Sequence, residues 1–324
     1  MRVVVSRPIP EVGVEVLRAA GHEVVVSEHD RALSAGELLA LTEGAEGLLS
    51  MLSDRIDEGF LAARPKVRAI ANFAVGFNNI NVEGCTRHGV GVSNTPDVLT
   101  NATAEIAWVL LMAAARRVGE AERDLRAERW EGWGPLQYLG RDVVGKTLGI
   151  IGAGRIGGRV AKMASGFDMK VVYHNRNRNE ELEKLGARYV GLEELLREAD
   201  FVSVHVPLTA ETRHLIGAAQ LGMMKKTAVL VNTARGPVVD EAALVEALRE
   251  KRIFAAGLDV FEREPVLHPD LYELENAVIL PHIGSATVGT REAMARLAAE
   301  NLVAMLAGKK ALTPVNAVGK HIGK

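Results

Sequence analysis

At 324 residues the chain is long enough for two domains, each with a core of its own. With 48% hydrophobic and 25% charged residues its composition is that of a globular protein, and a net charge of −2 gives no electrostatic reason to expect a nucleic-acid or membrane partner. Its single cysteine, Cys85, excludes an intrachain disulfide framework and fits a reducing, cytoplasmic setting.

The first apolar run holds only the three valines 3–5, too few for a signal-peptide core, and reads as a buried strand. Further valine- and isoleucine-rich runs follow at 23–26, 47–50, 69–72 and 89–92. Helical patterns lie between them at 11–20, 35–43, 54–63 and 82–88. Cys85 falls near the end of the last of these helices and reads as a small buried hydrophobe. Asn81, just before that helix, is suited to cap it. A long apolar helix over 101–117 is entered through Thr100 or Asn101. Glu105 and Arg116 bound its apolar stretch, so it reads as a buried helix and not as a membrane span. A polar segment containing Trp130, Trp133 and Tyr138 separates it from a second series of strands at 148–151, 170–174, 187–190, 201–206, 228–232, 255–259 and 277–280, closed by a helix over 290–307. Strands alternating with helices predict parallel sheets covered on both faces.

The second series opens on a strand, the turn GAGRIG, a helix and another strand. Gly152, Gly154 and Gly157 occupy the three glycine positions of a dinucleotide fingerprint: one for the tight turn, one for backbone approach to a pyrophosphate, one for helix–strand packing. At the end of the next strand an NAD site usually carries an acid. Here stand Asn175, Arg176 and Arg178. A guanidinium there binds the 2′-phosphate that a carboxylate would repel, so the segment predicts NADP(H) in preference to NAD(H).

Ligands of open parallel sheets sit beyond the carboxyl ends of the strands. Three loops at those ends carry Arg235, then Asp259 and Glu264, then His282. The set suits reduction of a keto acid. An arginine holds the carboxylate and polarises the carbonyl. A histidine gives the proton as hydride arrives. A glutamate beside the histidine favours imidazolium, keeping a group of ordinary pKa about 6.5 charged near neutrality. The nine histidines show no metal-ligand spacing, and no metal is expected.

The stretches GAGRIGGRVA, FVSVHVPLTAETRHLI, LVNTARGPVVDEAAL, AAGLDVFEREP and LPHIGSAT resemble the D-isomer-specific 2-hydroxyacid dehydrogenases along nearly the whole chain. Within that family LLSMLSDRID, ANFAVGFNNI and WGPLQYLGRDVVGKTLGIIG are most similar to the glyoxylate/hydroxypyruvate reductases. The resemblance implies an α/β fold of two Rossmann-like or flavodoxin-like parallel-sheet domains with a cleft between them. A discontinuous substrate domain, 1–99 plus 285–324, would flank a dinucleotide domain, 100–284, on two hinge helices. It places Arg235, Glu264 and His282 in the catalytic roles. Arg155, Ile156, Pro207, Thr212, Thr233, Ala234 and Gly284 would lie along the cofactor, and Asp259 would reach the nicotinamide carboxamide. Leu52 would form an apolar wall for a short substrate, and the amides near Val75 and Gly76 a small nest for its carboxylate. A homodimer is implied, with the tryptophan segment at its interface and Trp133 reaching a substrate pocket.

The expected activity is NADPH-preferring reduction of glyoxylate and hydroxypyruvate. Two other readings stand beside it. One is an NAD-dependent dehydrogenase of another D-2-hydroxy acid, such as 3-phosphoglycerate or D-lactate; Asn175 and the absence of an added regulatory domain weigh against it. The other is a dinucleotide-sensing, corepressor-like binding protein on the same fold, which turnover of simple keto acids would discriminate.

Overall fold

Valine and isoleucine favour extended backbone. The apolar runs of the first hundred residues accordingly form β1 (Arg2–Val5), β2 (Glu23–Val26), β3 (Gly47–Ser50), β4 (Ala69–Asn72) and β5 (Gly91–Ser93). In the computed structural model, which describes residues 1–318, these strands are all parallel in the order β2-β1-β3-β4-β5. Between them lie α1 (Glu11–Ala19), α2 (Ala35–Leu41), α3 (Glu58–Ala63) and α4 (Val82–Arg87). The chain divides into two compact units, Met1–Leu99 with the stretch from Ser285 onward, and Thr100–Gly284. Residues 319–324, the end of the expected C-terminal segment, lie outside the described residues.

Successive strand side chains face opposite ways. In the first unit Val4, Leu48, Ile70 and Val92 pack with Leu38, Phe60, Leu61 and Cys85 under α2–α4. The other face of the sheet is covered by α1 and by α12 (Val288–Leu306), which returns from the far end of the chain. Cys85 is fully buried, and its removal from water pushes the thiol up to about 11.

The second unit contains α5 (Thr100–Ala115), α6 (Val118–Arg126), β6 (Thr147–Ile151), α7 (Arg155–Met163), β7 (Lys170–His174), α8 (Glu180–Glu183) and β8 (Arg188–Tyr189). It continues with α9 (Leu192–Glu198), β9 (Phe201–Val204), α10 (Ala218–Met223), β10 (Val229–Asn232), α11 (Glu241–Arg249), β11 (Ala255–Leu258) and β12 (Ala277–Ile279). Its seven parallel strands run β12-β11-β10-β9-β6-β7-β8. The chain winds outward from β6 to β8, returns to β9 and winds the other way, so the switch in direction falls between β6 and β9, the place where such sheets bind ligands. On one face Leu148, Ile150, Tyr173, Phe201 and Val231 pack with α5 and α7, and Trp108 of α5 stacks on Phe167 at 4.9 Å. On the other, Val202, Val204, Leu230 and Leu258 pack with leucines of α9–α11.

Two expected elements differ. The helix expected over 54–63 starts at Glu58, where Asp57 Oδ1 accepts the Phe60 amide at 3.1 Å. Asp54 is instead a buried carboxylate that accepts the Ser6 hydroxyl and, at 2.7 Å, the Met51 amide. The segment expected as polar loop after 117 begins with α6. Arg117, at φ +54°, breaks the preceding helix, and its guanidinium grips Glu120 in the first turn of the next. No helix among the described residues is long and apolar enough to cross a membrane.

Candidate active site

At the carboxyl end of β6 the chain turns at Gly152, φ +94°. A Cβ there would stand 2.7 Å from the His205 carbonyl carbon and the Val206 nitrogen, and one on Gly157 would stand 2.1 Å from the Gly152 oxygen. The turn and α7 are thus pressed together as only glycines allow. Gly154 is different: nothing lies within 4 Å of its missing side chain, so its backbone is approachable. The amides of Ile156 and Gly157 find no acceptor among the described residues, and the positive end of α7 adds to them. This open, donor-lined turn fits the pyrophosphate of a dinucleotide.

At the end of β7, Asn175 donates its side-chain amide to the Asn177 carbonyl at 2.9 Å. Arg178 makes a two-pronged ion pair with Glu183, both bonds 2.9 Å, and lies over the Tyr189 ring. Arg176 is exposed and makes no ion pair among the described residues. Of the two guanidiniums expected to favour a 2′-phosphate, only Arg176 could engage one without breaking an existing pair. Beyond β9, Thr212 closes a small turn by donating to the Pro207 carbonyl at 2.6 Å.

Beyond β10 the buried Asn232 shapes the next turn. Its oxygen accepts the Ala234 amide and its nitrogen donates to the Arg235 carbonyl, each at 3.0 Å. Arg235 in turn donates to the Ala234 carbonyl at 2.6 Å. Burial lowers its pKa and the nearby Glu264 charge raises it; a guanidinium so placed remains charged. The adjacent Gly236 lies directly against the backbone of Phe261 and Glu262, which ties this turn to the loop that carries Glu264.

Glu264 Oε1 accepts the Phe261 amide at 3.1 Å and Oε2 contacts His282 Nδ1 at 2.8 Å. A carboxylate only accepts, so Nδ1 carries the proton and donates; Nε2 is left to act elsewhere. Burial pushes the Glu264 carboxyl up, but the His282 hydrogen bond and charge, the Phe261 amide and Arg235 outweigh it and hold its pKa below the ordinary carboxylate value. His282 takes φ +54°, a rarely occupied backbone region. Asp259, just past β11, holds it there by accepting the next two amides, Ile283 and Gly284, each at 2.7 Å. Both Asp259 oxygens are thereby engaged within the chain. Burial raises this carboxyl, and the Ile283 amide and His282 charge only partly offset that.

Because the folded pKa of Glu264 is depressed, its stabilising share is present above the ordinary carboxylate range and is lost as pH falls through the depressed value. Glu264→Gln should therefore unfold more readily than the parent at pH 7, with the difference closing in strong acid. Urea titrations across pH would show it, and a difference that grew in acid would refute it.

Two further groups at this edge lie inside the stretches LVNTARGPVVDEAAL and FVSVHVPLTAETRHLI but carry no role in the sequence reading. One is Asn232. The other is His205, whose Nε2 contacts Ser203 Oγ at 2.8 Å and whose Nδ1 lies 3.5 Å from the buried Thr233 Oγ1. Burial pulls its pKa down to about 3, so it is neutral. Both stand at carboxyl ends of strands, His205 after β9 beside the switch point and Asn232 on the adjacent β10, and that position alone could have flagged them.

In the first unit, Leu52 is partly exposed in a turn after β3, and Val75 and Gly76 lie in a loop after β4. Trp133 is 85% exposed in the second unit, on a segment that also exposes Trp130, Leu136 and Leu139. Among the described residues no group of three or more His, Cys, Asp or Glu is gathered as a metal site would require.

Residues 108–284 match the D-isomer specific 2-hydroxyacid dehydrogenase, NAD binding domain. The chain is 51% identical over 320 residues to the glyoxylate reductase of Thermococcus onnurineus, covering 97% of this chain and 96% of that one. A solved structure of a Thermus thermophilus protein is 46% identical with a TM-score of 0.92, over 98% of this chain and 100% of that one. The NADPH-dependent glyoxylate/hydroxypyruvate reductase of Sinorhizobium meliloti, solved with NADP and malonate, is 36% identical with a TM-score of 0.84, over 97% and 96% of the two chains. With the glycine turn, the two parallel sheets and relatives alike over almost their whole length, this chain belongs to the D-isomer-specific 2-hydroxyacid dehydrogenase family.

Proposed function

We propose that the protein reduces short 2-keto acids, glyoxylate to glycolate and hydroxypyruvate to D-glycerate, with NADPH preferred over NADH. The observation that carries this reading is the Glu264–His282 pair, set with Arg235 at the same sheet edge as the dinucleotide turn. When bound, a reduced nicotinamide dinucleotide supplies the hydride that reaches the keto carbon. Arg235 grips the substrate carboxylate and polarises its carbonyl. His282 Nε2 gives its proton to the carbonyl oxygen, so hydride and proton together yield the alcohol. Glu264 stabilises the imidazolium before transfer, and Asp259 keeps the ring in place through Ile283 and Gly284. Leu52 and the amides of Val75 and Gly76 contact the short substrate. The turn residues Gly152–Gly157, with Pro207, Thr212, Thr233, Ala234 and Gly284, line the cofactor.

The cofactor preference rests on Arg176 and on Asn175 in place of an acid. The Sinorhizobium reductase, described as NADPH-dependent, supports it. Initial rates with glyoxylate and with hydroxypyruvate, each against NADPH and NADH, test both parts. Arg176→Ala should cut kcat/KM with NADPH by about tenfold or more while sparing NADH, the worth of one lost charge-assisted pair. An equal effect on both cofactors would sink the assignment, and rapid turnover with NADH alone would remove the preference.

A homodimer and a cytoplasmic setting complete the reading. Exposed tryptophans and leucines on one segment are the composition of an interface core. We assign Trp133 to that interface, within reach of the substrate pocket of the second copy. A single-chain mass in solution would overturn this.

A further inference from the structure

The loop after β4 has an unusual hydrogen-bonding pattern. Three consecutive carbonyls are tied down: Ala74 O by the Thr95 amide at 2.9 Å, Val75 O by the Asn94 side-chain amide at 2.8 Å, and Gly76 O by the Asn72 side-chain amide at 2.8 Å. A trans peptide points its N–H opposite its C=O. Holding these three oxygens therefore points the amides of Val75, Gly76 and Phe77 each away from the anchor of its own carbonyl. None of the three donates to an acceptor among the described residues. Three successive unengaged amides are donors an anion could use.

The two asparagines are themselves held. Asn72 is fully buried at the end of β4, and its oxygen accepts the Ser50 hydroxyl at 3.1 Å. That orients its nitrogen toward Gly76. Asn94 is pinned through its backbone, its carbonyl accepting Thr313 Oγ1 at 2.6 Å and its amide donating to the Thr313 carbonyl at 3.3 Å. Asn72 is thus a fixed donor at its side chain, and Asn94 is anchored at its backbone.

We propose that Asn94 and Asn72 are positioning residues that clamp the Val75 and Gly76 carbonyls and so aim the Gly76 and Phe77 amides at the substrate carboxylate. The inference rests on the reading that this loop receives that carboxylate. It adds Phe77 to the amides expected there and gives the nest a cause, in two side chains that do not touch the substrate.

Asn94 is only half buried, so it is the residue to change. Asn94→Asp keeps the shape but replaces the donor with an acceptor, and Asn94→Leu keeps the bulk without any donor. Oxalate, a carboxylate that cannot be reduced, serves as the probe, bound to the NADPH-loaded protein and followed by nicotinamide fluorescence. Both variants should weaken oxalate binding and raise KM for glyoxylate by about tenfold, as expected when a well-placed donor loses its aim. NADPH affinity and thermal midpoint should stay near those of the parent. A crystal structure of Asn94→Asp should show the Val75–Gly76 peptide rotated. Unchanged oxalate affinity in a folded variant with the peptide unmoved would overturn the clamp, as would equal weakening of oxalate and NADPH. Parent protein that binds no oxalate would overturn the carboxylate reading itself; the peptide rotation in the variant would still decide whether the asparagines set the loop.

Discussion

His282→Ala should lower kcat for glyoxylate reduction by about 10²–10⁴-fold, the usual worth of a positioned general acid. NADPH binding should be almost unaffected. The separation is expected because the imidazole sits on Glu264 and not on the glycine turn: Nδ1 bonds to Glu264 Oε2 at 2.8 Å. The same geometry predicts the behaviour of Glu264→Gln. Its amide oxygen can still accept from Nδ1 but carries no charge, so kcat should fall while NADPH affinity holds. Rates from pH 5 to 10, with NADPH affinity from fluorescence titration, would check both. A loss of less than tenfold in His282→Ala would mean that another group or water delivers the proton.

Gly236→Ala should destabilise the second unit by about 3 kcal/mol or more, beyond the usual cost of overpacking a core. The added Cβ would stand 1.9 Å from the carbonyl carbon and oxygen of Phe261 and 2.4 Å from the Glu262 nitrogen. Those are backbone atoms, so no side chain can swing aside to relieve the clash. The forced shift would move the loop that carries Glu264 relative to the turn that carries Arg235, and activity should fall even in molecules that remain folded. Gly222→Ala is the control. It lies in α10 with nothing within 4 Å of the new methyl group, and should be neutral or stabilising by about 0.4–1 kcal/mol. Denaturant midpoints of the two variants would test the contrast; equal stability would show that the Gly236 contact relaxes freely.

The architecture was legible because its signals are local. β3, β4, β9, β10 and β11 are buried on both faces and therefore apolar at nearly every position. The dinucleotide turn is a run of close glycines, and the rule that strand ends face ligands pointed to Arg235, Glu264 and His282. Features set by distant partners were not legible. Asp54 looks like part of a helix, yet Ser6, at the end of the neighbouring strand β1, fixes it in the interior. Arg178 looks available for a phosphate, yet Glu183 on the short helix α8 already holds it. Helix α6 carries many charges and only a narrow apolar stripe, Val118, Ala121 and Leu125; its start is set by the backbone reversal at Arg117. Asn72 and Asn94 sit 22 residues apart in the chain, and only the pairing of β4 with β5 brings their side chains to the same loop.

The burial of Cys85 has a practical consequence. It is the only thiol in the sequence, is fully enclosed, and with its pKa pushed to about 11 stays protonated at neutral pH. Maleimides react with exposed thiolates, so the native background needs no cysteine removed before labelling. A cysteine placed at the 81% exposed Leu136 would take up a fluorophore alone. The dye's emission would then show directly whether a second copy of the chain covers the tryptophan segment.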